Sequence, residues 1–288
     1  MVAETRRQAH VLSVLNLKGG VGKTHTMWLL ASVAQERRQR ILLVDLDTQG
    51  NLTRSFLETV DPRRSVASLF NPAADLDVTP LLHRTPFDTI DLIPSSPHLA
   101  SFDLSDQHAW EETDGHLALL EAVDQLRPLY DFIIFDCPPR LSLVSFAALC
   151  ASDHVIVPLE AADWGAQGVQ QVAAAIDYVR DRFNPRLTLL GYLVSRFKRT
   201  RSYQRTYLAG LRKHFGDATF DTVLSDLADF EKSVTDRIPI TSRDPDSPAA
   251  AIARAFVDEV CQRIARQPKS SQRPRTKPRP PARVAAQR

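Results

Sequence analysis

Asn16-Leu17-Lys18-Gly19-Gly20-Val21-Gly22-Lys23-Thr24 is the stretch on which the reading of this chain turns. The apolar run Val11-Leu12-Ser13-Val14-Leu15 precedes it, and the helix-like Met27-Trp28-Leu29-Leu30-Ala31-Ser32-Val33-Ala34 follows. Strand, glycine-rich loop and helix start, in that order, make a cradle for phosphate. The glycines let successive backbone N–H groups turn inward with no Cβ in the way. The start of the helix adds partial positive charge where a phosphate would sit. Lys23 is spaced to reach the β- and γ-phosphates of a nucleotide, and the Thr24 hydroxyl to ligate Mg²⁺.

Two further strands end in acids. Ile41-Leu42-Leu43-Val44-Asp45 is a continuous apolar run, as expected of a parallel strand buried on both faces, and it leads into Leu46-Asp47-Thr48-Gln49-Gly50-Asn51. Tyr130-Asp131-Phe132-Ile133-Ile134-Phe135-Asp136-Cys137-Pro138-Pro139 has the form of a Walker B strand, with Asp136 placed to hold Mg²⁺ through water. An acid at a strand end beside a phosphate loop can also hold a metal-bound or attacking water, which suits Asp45 and Asp47.

The remaining pattern alternates. Strands are expected over about 10–16, 41–45, 89–95, 130–136, 153–159 and 187–194. Helices are expected over about 23–37, 115–126, 143–150, from after Gly168 to about Phe183, and over 249–264, with a short one at 65–70. That order predicts an α/β fold, a twisted and mainly parallel sheet with helices on both faces and its site at the strand carboxyl ends.

At 288 residues, with 43% hydrophobic and 24% charged residues, the chain can bury a substantial core. No apolar run reaches the length of about 18 residues that crosses a membrane. Three widely spaced cysteines make no disulfide framework, which fits a reducing cytoplasm. The net charge of +2 conceals an asymmetry: residues 268–288 hold seven Lys and Arg and no acid, leaving about −5 for the rest. That segment also carries five prolines and is expected to be an extended basic tail, as residues 1–9 are expected to be a loose lead to a single domain at 10–266. A second basic stretch, Arg196 to Lys213, includes Lys198, Arg199, Arg201, Arg205, Arg212 and Lys213, with Phe197 and Tyr203 interleaved. Clustered cations of this kind suit a DNA phosphate backbone.

The loop departs from the strict Walker A pattern, because Leu17 stands where its first glycine belongs. Lys18-Gly19-Gly20-x-Gly22-Lys23-Thr24 resembles instead the deviant Walker A box of the ParA/MinD family of ATPases, whose first lysine is a signature of the family. Asp45-Leu46-Asp47-Thr48-Gln49-Gly50-Asn51 is similar to the family's acid-rich second segment, with Thr48 in place of a usual proline. Asp136-Cys137-Pro138-Pro139 is similar to its Asp-x-Pro-Pro. The resemblance runs in order over about residues 10–265, is to the ParA/Soj type, and implies a further strand at about 218–224.

It implies a P-loop ATPase that uses ATP and Mg²⁺. Lys18, Gly19, Gly20, Val21, Gly22, Lys23, Thr24 and His25 would bind nucleotide. Thr24, Asp45 and Asp136 would serve the metal, Asp47 would position water, and Lys18 would reach the phosphates of a second subunit. The implied partners are a second copy joined by ATP, DNA bound without sequence preference, and a ParB-like adaptor that stimulates hydrolysis, all on the nucleoid in the cytoplasm. The work would be partitioning of DNA or positioning of another cargo. Asp163 and Trp164 fall where the family lines its dimer face. Two departures matter. His25 replaces a usual threonine, and Ser225, Asp226 and Asp229 stand where a proline and arginines are usual, which moves any DNA contact to the 196–213 stretch or the tail. A membrane-cycling relative of the MinD kind is the alternative, but the proline-rich tail forbids the continuous amphipathic helix it needs. A relative holding an iron–sulfur cluster between subunits would need cysteines that Cys137, Cys150 and Cys261 do not supply.

Overall fold

The computed structural model describes residues 8–71, 77–103, 114–161 and 166–267. Its centre is a seven-stranded sheet: β1 His10–Val14, β2 Ile41–Asp45, β3 His83–Arg84, β4 Ile90–Ile93, β5 Phe132–Asp136, β6 His154–Glu160 and β7 Thr188–Ser195, in the order β3-β4-β2-β5-β1-β6-β7. Every pairing is parallel except the short β3–β4 edge. The apolar runs dictate this, since β1, β2, β4 and β5 are buried almost throughout and a strand with no polar face must be covered on both sides.

The helices supply the two covers: α1 Lys23–Glu36, α2 Asn51–Phe56, α3 Ala118–Leu126, α4 Leu143–Ala151, α5 Ala166–Arg182, α6 Ser202–Phe215, α7 Ala228–Thr235, α8 Ile240–Arg243 and α9 Pro248–Arg266. Alternate strand residues part to opposite layers, as the two-residue repeat of a strand requires. Val11, Val44, Ile133 and Val155 join a core with Leu119, Val144 and Ile176. Leu12, Leu43, Ile134 and Ile156 join another with Trp28, Phe230 and Phe256. In that second layer the Trp28 indole N–H donates to Ser233 Oγ at 2.7 Å, and Ser233 Oγ donates to the Ile238 carbonyl at 2.6 Å. The fully buried ring thus keeps its one polar group satisfied while it fixes α1 against α7.

Most expected elements form within a residue or two of their expected ends. The segment at 218–224 does not become a regular strand. It meets β7 at an isolated bridge, Tyr192 with Thr219, and a second bridge just past both segments joins Phe197 to Ser225. The cause is a competing acceptor: the N–H groups of Asp221 and Thr222 both donate to the Glu259 carboxylate at 2.8 Å, and Arg263 takes the Thr219 carbonyl at 2.7 Å. Groups that would extend the ladder are spent on α9. Residues 65–70 form a 3₁₀ turn, Val66–Phe70, rather than an α-helix. Residues 1–7 of the expected lead at 1–9, the interface candidates Asp163 and Trp164, and the basic tail lie outside the described residues. Among the described residues no helix is long and apolar enough to cross a membrane.

Candidate nucleotide site at the strand ends

Parallel register brings the two acids together. Asp45 closes β2 and sits directly opposite Asp136, which closes β5, and Val14 of β1 lies opposite Asp136 on its other side. The phosphate loop leaves β1 at that point, so the middle of the sheet carries the loop with both carboxylates on its β5 side. Gly20 and Gly22 take φ of +77° and +87°, a region that a residue with a Cβ enters only under strain, and Gly22 caps α1. The Ser195 hydroxyl at the end of β7 donates to the Val21 carbonyl at 2.6 Å and ties the loop to the sheet. Asn16 does the same from inside, giving an N–H to the Pro158 carbonyl at 2.6 Å and accepting the Lys18 N–H at 2.9 Å.

The Lys23 ammonium is buried within the loop and donates to the carbonyls of Asn16 at 3.2 Å and Lys18 at 3.0 Å. Burial lowers its pKa, against the pull of Asp136. The Thr24 hydroxyl donates to Asp136 Oδ2 at 2.8 Å. Asp136 Oδ1 is buried with no hydrogen-bond partner, a condition that a carboxylate in a protein interior ordinarily avoids. Burial, and next the neighbouring Asp45, push the Asp136 pKa well above the usual carboxylate range. Asp45 is also raised by burial, although it accepts from the Thr53 N–H at 2.8 Å, the Thr53 hydroxyl at 2.7 Å and the Asp47 N–H at 3.1 Å. Two buried acids with one orphaned oxygen and an adjacent hydroxyl make a donor set for a hard divalent cation. The residues present therefore fit Mg²⁺.

Asp47 stands just beyond, half-buried, its carboxylate accepting from the Gln49 N–H at 3.0 Å in a tight turn. Lys18 is exposed at the lip of the loop, its ammonium 3.9 Å from the Glu160 carboxylate at the end of β6. His25 packs edge-on against Phe230 with ring centroids 4.7 Å apart, and burial, then Arg196, lower its pKa to about 4. Gly19 lies exposed on the loop beside these.

Three residues that the sequence did not assign to this site belong to it. Arg196 takes φ +52° and donates to the Gly20 carbonyl at 3.4 Å, so it serves the phosphate loop rather than the basic stretch in which it was read. Ser195 ties down Val21, and Asp226 closes a cavity of about 130 Å³ with Gly20, Gly22, His25, Ser195 and Arg196. No local spacing reveals them, because they meet the loop only through the sheet order.

The remaining basic residues form a different surface. Arg199, Arg205 and Arg212 line a groove of about 820 Å³ floored by Leu208, Val223 and Ile252. Lys213 and Arg201 are exposed on and before α6, while the Lys198 ammonium lies 2.9 Å from Asp226. Phe197 is buried and cannot stack on a base; Tyr203 is half exposed and accepts from Arg201 at 2.8 Å.

Comparison with known proteins places this geometry. A family model described as an AAA domain matches residues 9–189. The chromosome-partitioning ATPase Soj of Thermus thermophilus is 33% identical over 90% of this chain and 98% of its own length. The chromosome partitioning protein ParA of Caulobacter vibrioides is 30% identical over 74% of this chain and 79% of its own. The crystal structure of cobyrinic acid a,c-diamide synthase from Mycobacterium smegmatis with bound ADP and magnesium superposes with a TM-score of 0.74 at 28% identity, covering 90% of this chain and 96% of that one. Loop, paired acids and relatives agree, and the chain belongs to the AAA-domain family and, within it, to the ParA/Soj-type P-loop ATPases.

Proposed function

We propose that this chain is an ATP hydrolase of the partition type, which uses Mg²⁺, pairs with a second copy through ATP, and in that state binds DNA without sequence preference. The observation that carries the reading is the convergence of Lys23, Thr24, Asp45 and Asp136 on one point, with an oxygen of Asp136 buried and unpartnered. Thr24 and Asp136 would hold the cation, with Asp45 beside them. Bound there, Mg²⁺ supplies charge neutralisation at the phosphates. Lys23 exchanges its two carbonyl partners for phosphate oxygens, and the N–H groups from Gly19 to His25 complete the cradle. Asp47, half-buried at the turn after β2, would orient the attacking water. Lys18 at the lip would cross to the phosphates of the second copy, where two facing triphosphates need added cations.

Residues 10–266 act as one ATPase unit in this reading, and 267–288 as a basic arm. Arg199, Arg201, Arg205, Arg212 and Lys213, with Lys198 once released from Asp226, give the paired form its DNA surface. A ParB-like adaptor would stimulate hydrolysis and release the dimer from DNA, so that repeated cycles on the nucleoid partition DNA or position another cargo. Soj and ParA, named above as chromosome-partitioning proteins, support that assignment. The test is Mg²⁺-dependent phosphate release together with binding to random-sequence duplex at fixed moderate salt in apo, ADP and ATP states. ATP-only binding with Lys23-dependent hydrolysis is expected. Equal DNA binding in all three states would overturn the switch, and hydrolysis that persists in Lys23→Ala would overturn the site.

A further inference from the structure

Four residues past Asp136 the chain places Arg140, on the loop that leaves β5. That loop leaves the sheet in the same direction as the one after β2, because Asp136 and Asp45 are register partners on neighbouring parallel strands. Asp47 and Arg140 therefore emerge from one edge of the sheet, on adjoining turns. The backbone under Arg140 is fixed. Pro138 and Pro139 restrict the approach to it. The Cys137 N–H donates to the Val14 carbonyl at 3.2 Å, and the Ser145 hydroxyl donates to the Arg140 carbonyl at 3.0 Å. Only the long side chain has freedom to move.

The guanidinium is held from one side. Its partner is Asp103, at the end of the turn Pro97–Phe102 that follows β4. The Asp103 side chain is 8% exposed and that of Arg140 48%. Asp103 Oδ1 is buried with no hydrogen-bond partner among the described residues, so the contact uses one oxygen and lacks the two-pronged geometry that makes an arginine–carboxylate pair strong. A half-exposed ion pair of this kind is weak. The hydrogen bond with Asp103 raises the Arg140 pKa and Asp47 adds to the rise, so Asp47 is within electrostatic reach. Arg140 also shares a cavity of about 650 Å³ with Leu17, the residue before Lys18 in the phosphate loop. An ATP seated as proposed above meets Lys23 from inside the loop, with its terminal phosphate facing the water that Asp47 would orient. Lys18 is turned to the second copy in that reading. Arg140 is the cation that the loop after β5 offers on the Asp47 side.

We infer that Arg140 is a catalytic cation, which leaves Asp103 when ATP is bound and meets the terminal phosphate of its own subunit as that group passes to water. In the transfer the water oxygen bonds to the terminal phosphorus, the bond to the bridging oxygen breaks with its electron pair passing to ADP, and both water protons end on the orthophosphate. The guanidinium offsets the charge carried by the phosphoryl oxygens while they are in transit. Asp103 competes for the same guanidinium and so restrains turnover. The inference rests on the ATP reading above and adds a cation at its reacting end.

The experiment compares wild type, Arg140→Ala, Arg140→Lys and Asp103→Asn in the full chain, after matched thermal melts. It reads single-turnover hydrolysis of Mg²⁺-ATP, and calorimetric affinity for Mg²⁺-ADP with and without aluminium fluoride, which beside ADP imitates the phosphoryl group in transfer. Arg140→Ala is expected to slow hydrolysis about a hundredfold and to lose most of the affinity that aluminium fluoride adds, with ADP alone held within about twofold. Arg140→Lys, which keeps the charge, should recover part of both. Asp103→Asn should speed hydrolysis about threefold, because it frees the guanidinium. A slowing in Asp103→Asn like that in Arg140→Ala would overturn the inference in favour of a structural pair. Equal losses for ADP alone and for ADP with aluminium fluoride would overturn it in favour of a ground-state contact. Failure of wild type to hydrolyse Mg²⁺-ATP at all is a separate outcome, and it would bring down the ATP reading itself.

Discussion

Replacing Asp136 by Asn should make the metal-free protein more stable while abolishing its use of Mg²⁺-nucleotide. The carboxylate is 2% exposed and lies opposite Asp45, which is fully buried. Burial, Asp45 and Asp47 all oppose its charge, and only the Thr24 hydrogen bond and Lys23 favour it. The balance raises its pKa, so the folded state holds a proton that the unfolded chain has already released, and stability falls as pH rises above the ordinary carboxylate range. Asn keeps an acceptor for Thr24 and carries no charge. The expected gain is about 2 kcal/mol near pH 8, or about 5 °C in melting temperature, shrinking toward zero only below about pH 4, where the unfolded chain is protonated too. Differential scanning calorimetry without metal reads it at both pH values. In the same variant the further rise in melting temperature that Mg²⁺-ATP gives wild type should largely vanish. A variant less stable than wild type at pH 8 would refute the reasoning, because it would mean that Thr24 and Lys23 outweigh the burial of two adjacent acids.

Lys18→Ala should bind nucleotide within about threefold of wild type yet remain monomeric with ATP in sedimentation, since the side chain lies at the lip of the loop rather than in it; normal ATP-dependent pairing would remove its role across the interface. Gly191→Ala should cost about 2–3 kcal/mol in denaturant unfolding, because a Cβ there would lie 2.8 Å from the Ala218 carbonyl oxygen and 2.9 Å from the Phe220 ring. An unchanged midpoint would show that the β7 edge yields more easily than its packing implies. His154, whose ring Nδ1 is 2.7 Å from the Thr188 hydroxyl, is held by burial to a pKa of about 4 against an ordinary 6.5. The unfolded chain therefore takes up a proton first as pH falls from 6.5 to 4, and stability is lost across that window, by about 3 kcal/mol at most. His154→Asn should flatten that part of the stability profile, and an unaltered slope would show that the ring is protonated in the folded protein.

The phosphate loop was legible because its chemistry is local: three glycines, two lysines and a threonine fall within seven residues, between a strand and a helix. Asp45 and Asp136 were legible for a related reason, since each ends an apolar run and a parallel sheet puts such ends on one edge. The 130 Å³ cavity was not legible. Its wall joins Gly22 to Ser195 and Asp226, and their meeting depends on β6 and β7 following β1 in the sheet, which no spacing encodes. The basic stretch misled in one respect, because a run of like residues conceals that Arg196 turns to the loop while Arg199 and Arg212 face α9. The expected strand at 218–224 failed because Glu259 and Arg263, some forty residues later, claim its backbone groups. Strand propensity carries no record of a competitor that arrives from another helix.

The position of Lys23 changes what binding means here. Its ammonium already satisfies two carbonyl oxygens at the centre of the loop, at 3.2 and 3.0 Å. Arrival of a triphosphate is therefore a substitution rather than an addition, and affinity is set by the difference between two full sets of contacts. The same two contacts brace the loop from within, tying Lys23 at its end to the carbonyls of Asn16 and Lys18 at its start.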